Sequence, residues 1–519
     1  MGFSVRGRRG AFLLTLVWVL TGFFVHPAWA HVGSPDIYAE GEAGPYRLLV
    51  TVRPPQVIPG VAEIEVRAVG TGPDGASVTG IQIAPIPLTG EASLHPPVAD
   101  AMKQSGADKQ FFTGALWIMA SGSWQVRFTV QGSRGVGVLS IPVPAISSST
   151  KGMQAGLGLV LGALGLLLVA GVVGIVGAAA RDSQLAAGAT PTADGRRRAL
   201  ISMGVAVVVV AAAVWGGKVW WDGEADSYSK YVYKPLTMQA ALGKAASGQA
   251  LTLKIEDPGW LKSRRMDDFV LDHDHLMHLY LIRQPGMDVV FHLHPEQVAT
   301  GEFSLGLPSM PAGNYRLYAD VVHATGFPET LVASLTVSEI SGRPLAGDDA
   351  RGAAQPFGTN VCVEDRSVHS RFKLPDGYSL VWNNATAISA KTPQVFEFAL
   401  LDEQGKPATD TALYMGMLGH AAFVKSDATV FAHVHPSGTV SMAALMMAAE
   451  QNSAGKRADS AAMASMPEMP GMASSKLPNL VGFPYGFPTA GAYRIFVQMK
   501  HGATGRGVVE TGVFDACAR

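Results

Sequence analysis

Cysteine is scarce in this chain. Only Cys362 and Cys517 occur among 519 residues, near the two ends of the last domain, and they predict a single disulfide closing that domain, with two free or metal-binding thiols as the alternative. No cysteine lies near the histidine-rich stretches, which disfavours a closed thiolate zinc site there. Net charge is equally small. Lys and Arg total 40 against 41 Asp and Glu, mostly interspersed, so the chain lacks the concentrated positive surface that a nucleic-acid partner requires. Catalytic signatures are missing too. There is no H-E-x-x-H and no nucleophile elbow, and Glu296 beside His294 has no counterpart in the second copy of its motif, where Ser437 stands. A protein that is not an enzyme is therefore expected, with a His-ligated metalloenzyme as the lesser alternative, because three histidines can leave a coordination position open. Finally, no ionisable residue interrupts the apolar spans 152–180 and 199–215, which argues against transport through the membrane.

What is present begins with Arg6, Arg8 and Arg9, an apolar run over 11–25, and Ala28, Trp29, Ala30, the pattern of a signal peptide over residues 1–30. Cleavage there would make His31 the first residue. Its amine and imidazole, with His95, would suit a copper brace. Two apolar segments, 152–180 and 199–221, are long enough to cross a hydrocarbon core of about 30 Å. The loop between them, 181–198, carries Arg181, Arg196, Arg197 and Arg198 and is expected to be cytoplasmic. The soluble parts would then lie on the periplasmic or extracytoplasmic side of the cytoplasmic (inner) membrane. Gly158 with Gly162, and Ala170 with Gly174, offer close helix packing within the chain or in a homodimer.

The soluble parts read as short Val- and Ile-rich runs separated by Gly/Pro turns. A mainly β architecture is predicted, with three immunoglobulin-like β-sandwich domains over 31–147, 229–340 and 355–519 and a two-helix transmembrane anchor between the first and second. The last domain carries an insertion over 442–475, rich in Ala, Ser and Met, expected to be a mobile loop that is partly helical over 442–450.

The most informative pattern is a duplication. Phe291, His292, Leu293, His294, Pro295 returns as Phe431, Ala432, His433, Val434, His435, Pro436, and His278 or His420 precedes each copy. Each copy then leads to a Gly-x-Tyr-Arg type segment and a further histidine, His323 or His501, at the same distance from the tyrosine. Residues two apart on a strand share a face, so each H-x-H pair points one way. A hairpin would set His278 opposite His292 or between it and His294, and place His420 opposite His433, so that each trio could converge on one ion. His323 and His501 are candidate fourth ligands. Asp272, His273, Asp274 and His275 offer a possible entry site for metal. The alternative is that the histidines are ordinary half-buried residues on sheet faces, preserved in both copies as a hydrogen-bond network.

Imidazole suits Cu(II), Zn(II) and similar ions. Met463, Met466, Met469 and Met472 recur every third residue within the insertion, with Met415, Met417, Met442, Met446 and Met447 nearby, and soft thioethers favour Cu(I). The expected cofactor is copper, with zinc as the alternative, and the expected partner an envelope protein that donates or receives copper. A purely structural or partner-docking set of sandwiches is the competing reading.

Tyr414, Met415, Gly416, Met417, Leu418, Gly419, His420, followed by 431–436 and 491–496, resembles YtkA-like and FixH-like periplasmic domains, and the middle domain looks like a divergent copy. That resemblance implies an immunoglobulin-like fold and a link to metal handling. His31 is similar to the first residue of mature CopC-type copper carriers, whose Asp-x-His motif is absent between His31 and Lys151.

Overall fold

The computed structural model describes residues 35–69, 77–150, 152–186, 188–245, 248–260, 264–358, 361–362, 371–384, 387–454, 476–502 and 507–519. His31 and the methionines Met463, Met466, Met469 and Met472 lie outside them.

The architecture is mainly β, with three two-layer sandwiches and two long apolar helices. Sandwich I pairs a five-stranded sheet (Ile37–Ala43, Tyr46–Arg53, Gly60–Val69, Phe111–Ile118, Lys103–Gln104) with a four-stranded one built around Val78–Pro87, Gly122–Gly132 and Gly135–Ala145. Strict alternation makes these strands: along Gly60–Val69 the inward Ala62, Ile64, Val66 and Ala68 are buried between exposed or half-buried neighbours.

Helix α1 (Ala155–Asp182) and helix α2 (Ala193–Ser229) follow. Each is long and apolar enough to cross a membrane, with mean hydropathy of 2.8 and 2.3 in its most apolar window. Thr192 caps α2, its hydroxyl accepting from the Gly195 amide at 3.1 Å. The helices pack closely at Gly177, where a Cβ would lie 2.6 Å from the Met203 side chain. Gly162 and Gly174, proposed from sequence as packing positions, have nothing near them within the chain.

Sandwich II sets the strands Thr237–Ala245, Gly248–Glu256, Glu302–Gly306 and Glu296–Ala299 against a sheet ordered Pro328–Val337, Gly313–Val322, His278–Gln284, Val289–Leu293, Ala350–Ala353. In sandwich III a sheet of Arg371–Lys373, Ser379–Trp382, Gln394–Leu401 and Leu480–Tyr485 covers a second, which contains His420–Lys425 between Gly491–His501 and Phe431–Val434, with Val508–Ala518 on the other side of Gly491–His501. The Cys362–Cys517 disulfide joins positions 155 residues apart across this sandwich.

The histidine strands are buried on both faces. In His278–Gln284 and His420–Lys425 the residues Leu279, Leu281, Ala421 and Phe423 fill the cores of their own sandwiches. The opposite faces meet each other: Tyr280, Ile282, Val290 and Tyr318 of sandwich II pack on Ala422, Val424, Phe431 and Phe496 of sandwich III. Tyr318 stacks on Phe431 with ring centroids 4.2 Å apart. Buried Arg494 ties the seam, donating to the carbonyls of Met287 at 3.0 Å and Gln355 at 2.9 Å while pairing with Asp515. Both H-x-H faces therefore open onto one interface.

The described start of the insertion is helix α3 (Met442–Ala454), as expected in kind and somewhat longer. It does not float free: Val440, Ala444 and Ala448 enter the core of sandwich I.

Candidate metal centre

Eight imidazoles gather at the seam between sandwiches II and III. His273, His275, His278, His292 and His294 come from one sandwich, and His420, His433 and His435 from the other. Adjacent rings lie 3.8 to 6.4 Å apart, including contacts across the seam such as His278 with His433 at 5.4 Å. Strand register positions them. His278 falls opposite His294 by continuation of the pairing Leu279 with Leu293, and His420 opposite His435 by continuation of Ala421 with Val434. The expectations that His278 lies opposite His292 or between it and His294, and that His420 faces His433, are corrected by this register, in which Tyr280 faces His292 and Ala422 faces His433. The predicted turn was two residues out of phase.

Among the described residues, two sets of three have ligand nitrogens within 4.8 Å of one another. The first is His278, His292 and His294, the trio proposed from sequence. The second is His273, His420 and His435, in which His273 crosses from sandwich II and takes the place expected for His433. His433 is not remote: its Nε2 lies 3.2 Å from His420 Nδ1 and its Nδ1 3.3 Å from Asp320 Oδ2.

Hydrogen bonding in the first set fixes the tautomers. His278 Nε2 donates to the Asp272 carbonyl at 3.0 Å, and His292 Nδ1 to Gln498 Oε1 at 2.9 Å, with the Tyr414 hydroxyl 3.2 Å away. A neutral imidazole carries one proton, so His278 Nδ1 and His292 Nε2 both present lone pairs, and they face each other at 3.2 Å. Two lone pairs at that distance repel unless something electron-poor lies between them. Two nitrogens each ~2.0 Å from one ion and 3.2 Å from each other subtend roughly 105° there, close to tetrahedral. His294 adds an Nε2 with no hydrogen-bond partner, its Nδ1 being 3.3 Å from Asp349.

The second set is more exposed as a set of orphans. The Nε2 atoms of His273, His420 and His435 are all buried and without hydrogen-bond partners. Leaving a buried polar atom unpaired costs about 1–3 kcal/mol, so three together are poor structural chemistry and good ligand chemistry.

Burial also sets the charge. It pushes the His278 and His435 imidazoles down to about 4, and with neighbouring histidines it holds His292, His294, His420 and His433 well below the usual range. His273 is lowered by burial as well. These rings are neutral at neutral pH, and each keeps a lone pair. Outer partners orient them: Asp272, Gln498, Asp320 and the Val440 carbonyl.

His323 and His501 are not brought to the centre. His323 sits between Asp268 at 2.8 Å and Glu329 at 3.2 Å. His501 stacks on Tyr378 and pairs with Asp376 at 2.8 Å. Their shared spacing reflects a common strand end, held by carboxylates in both sandwiches. His95 ends a short 3-10 helix over Glu91–Leu94 and is exposed on sandwich I.

Sequence reasoning placed His273 only in a possible entry loop. One signal was available: His273 stands five residues before His278, as Met415 stands five before His420. What the sequence does not display is that the loop reaches across to the other sandwich.

A family profile described as a domain of unknown function, DUF8832, matches residues 373–514, within sandwich III. No curated protein matches the chain. Among solved structures, the chain is similar to a tetra-tandem repeat in the extending region of a large adhesion protein, at 8% identity and TM-score 0.15, covering 89% of this chain and 71% of that one. It is also similar to Salmonella alpha-2-macroglobulin reacted with methylamine, at 8% identity and TM-score 0.18, covering 95% of this chain and 24% of that one. A third is dimeric latent PorU from Porphyromonas gingivalis, at 7% identity and TM-score 0.14, covering 94% and 34%. The chain thus spans about a quarter of the macroglobulin and a third of PorU.

Proposed function

We propose that this chain is a membrane-anchored extracytoplasmic protein that binds copper at the seam of sandwiches II and III, for resistance, buffering or delivery to a partner in the envelope. The observation that carries the reading is the convergence of ligand-ready nitrogens: the facing lone pairs of His278 and His292, and the three orphaned Nε2 atoms of the second set. All-imidazole donor sets suit copper and zinc alike, and the methionines of the last domain tip the choice toward copper. Helices α1 and α2 supply the anchor, and the arginines between them favour a cytoplasmic loop with the sandwiches outside. The resemblance to YtkA-like and FixH-like domains agrees with this role, and the absence of a catalytic constellation favours a carrier over an enzyme.

The test is competition titration of the full chain in detergent with Cu(I), Cu(II) and Zn(II), beside a folded variant with His292, His294, His433 and His435 changed to Ala. Copper held at two equivalents and lost in the variant is the expected result. Equal, weak uptake by both proteins would leave the sandwiches as structural or partner-docking modules.

A further inference from the structure

The loop that delivers His273 has a twin. Asp272–His275 closes a tight turn, with the Asp272 amide donating to the His275 carbonyl at 2.8 Å and the His275 amide to the Asp272 carbonyl at 3.0 Å. Its central residues, His273 and Asp274, take positive φ of 50° and 68°. In sandwich III, Tyr414 and Met417 exchange the same pair of bonds at 2.7 and 3.1 Å, and Met415 and Gly416 take φ of 50° and 78°. Both turns lie six residues before the first strand histidine, His278 or His420. Non-glycine residues rarely adopt positive φ, so two in matching places mark a retained construction.

The two turns also cross the seam in opposite directions. His273 leaves sandwich II and joins His420 and His435 of sandwich III. Tyr414 leaves sandwich III and reaches His292 of sandwich II, its hydroxyl 3.2 Å from Nδ1 and donating to the Asp348 carbonyl at 2.7 Å. His273 is hydrogen-bonded to the Met415 backbone, so the tips of the two turns meet. Met415 is half-buried, as is His273.

From this exchange we propose that Met415 is the counterpart of His273, a thioether ligand contributed by sandwich III to the His278, His292 and His294 set of sandwich II. This inference rests on the reading of the seam as a copper centre and gives the two sets different chemistry. One would be built of imidazoles alone, with His273, His420 and His435. The other would add a soft sulfur to three imidazoles and favour Cu(I), since thioethers bind Cu(I) far better than Zn(II) or Cu(II). Such an arrangement retains copper in either oxidation state.

The experiment is Cu(I) titration of the full chain against a competing chelator, with X-ray absorption at the copper edge, for wild type, Met415→Leu and Met415→His. Leucine keeps the volume and removes only the donor. The expected result is a Cu–S shell in the wild type that disappears in Met415→Leu, a weakening of one Cu(I) site by tenfold or more, and unchanged Zn(II) and Cu(II) binding. Met415→His should regain affinity without sulfur scattering. A wild-type sulfur shell and Cu(I) affinity that persist in Met415→Leu would overturn this inference alone. A wild type that binds no copper at all would overturn the proposed function with it.

Discussion

At the scale of single residues, the centre depends on which nitrogen of each ring carries its proton. Gln498 comes from sandwich III yet accepts the His292 proton, thereby turning the other nitrogen toward His278. Replacing Gln498 by Leu removes that acceptor without touching a ligand. Metal affinity at the first set should fall by roughly ten- to a hundredfold, the usual loss when an outer partner is removed, with little change at the second. Competition titration with site-resolved spectra reads both. His323 supplies the contrast. It is nearly buried between Asp268 and Glu329, and Glu329 is also bonded by Arg264 and Tyr233. His323→Ala should lower stability by about 1–3 kcal/mol through the lost hydrogen bonds to the two carboxylates and leave metal stoichiometry unchanged. The histidines themselves were legible from the duplicated H-x-H motif. Which of them meet at the seam and which sit apart among carboxylates was not, because Asp268, Asp376 and Asp410 lie far from His323 and His501 in the chain, and Glu329, six residues after His323, has no counterpart six residues after His501.

At the scale of elements, the strands His278–Gln284, Val289–Leu293 and His420–Lys425 are almost wholly buried. A strand covered on both faces loses the alternation by which a sequence reveals its solvent side, so the expected strands came out nearly in place but the seam did not. The same burial makes the seam sensitive to acid. The folded chain holds His278 and His435 neutral down to about 4, whereas unfolded histidine takes a proton near pH 6.5. Between those values the unfolded state binds more protons at these rings, so their contribution to stability falls as the pH drops, opposed in part by Asp320, whose carboxyl burial raises to about 7. His323 acts in the other direction. Burial would lower it, but bonds to Glu329 and Asp268 outweigh that and raise it, so its contribution is complete below about pH 6.5 and fades as pH rises past its folded value. Thermal melts of the metal-free chain should show Tm falling steadily from pH 6.5 to pH 4.5. A flat profile there would mean that the seam histidines are not held neutral.

At the scale of the whole molecule, two contacts join the sandwiches: the apolar seam with its histidines, between II and III, and helix α3 on sandwich I. The last begins at the centre itself, since Asp272 Oδ1 accepts from the Ala443 amide at 2.7 Å while the Asp272 carbonyl accepts from His278. Three sandwiches and two apolar helices were readable from Val/Ile runs, Gly/Pro turns and uncharged spans. Their mutual packing was not, because it depends on surfaces far apart in sequence. An ion held by residues of both sandwiches II and III binds the native seam and not the unfolded chain. Saturating copper at a hundred times Kd should therefore add about 2.7 kcal/mol per site, seen as a rise in Tm that a chelator reverses.

Where copper lies in the loaded chain decides whether the seam is a metal centre. Anomalous diffraction at the copper edge from crystals of the copper-loaded chain would show it. The expected result is two peaks at the seam, one bound by His278, His292 and His294 and the other by His273, His420 and His435, with Cu–N distances of about 2.0 Å. Peaks confined to surface histidines such as His95, with the eight seam rings left unligated, would contradict it.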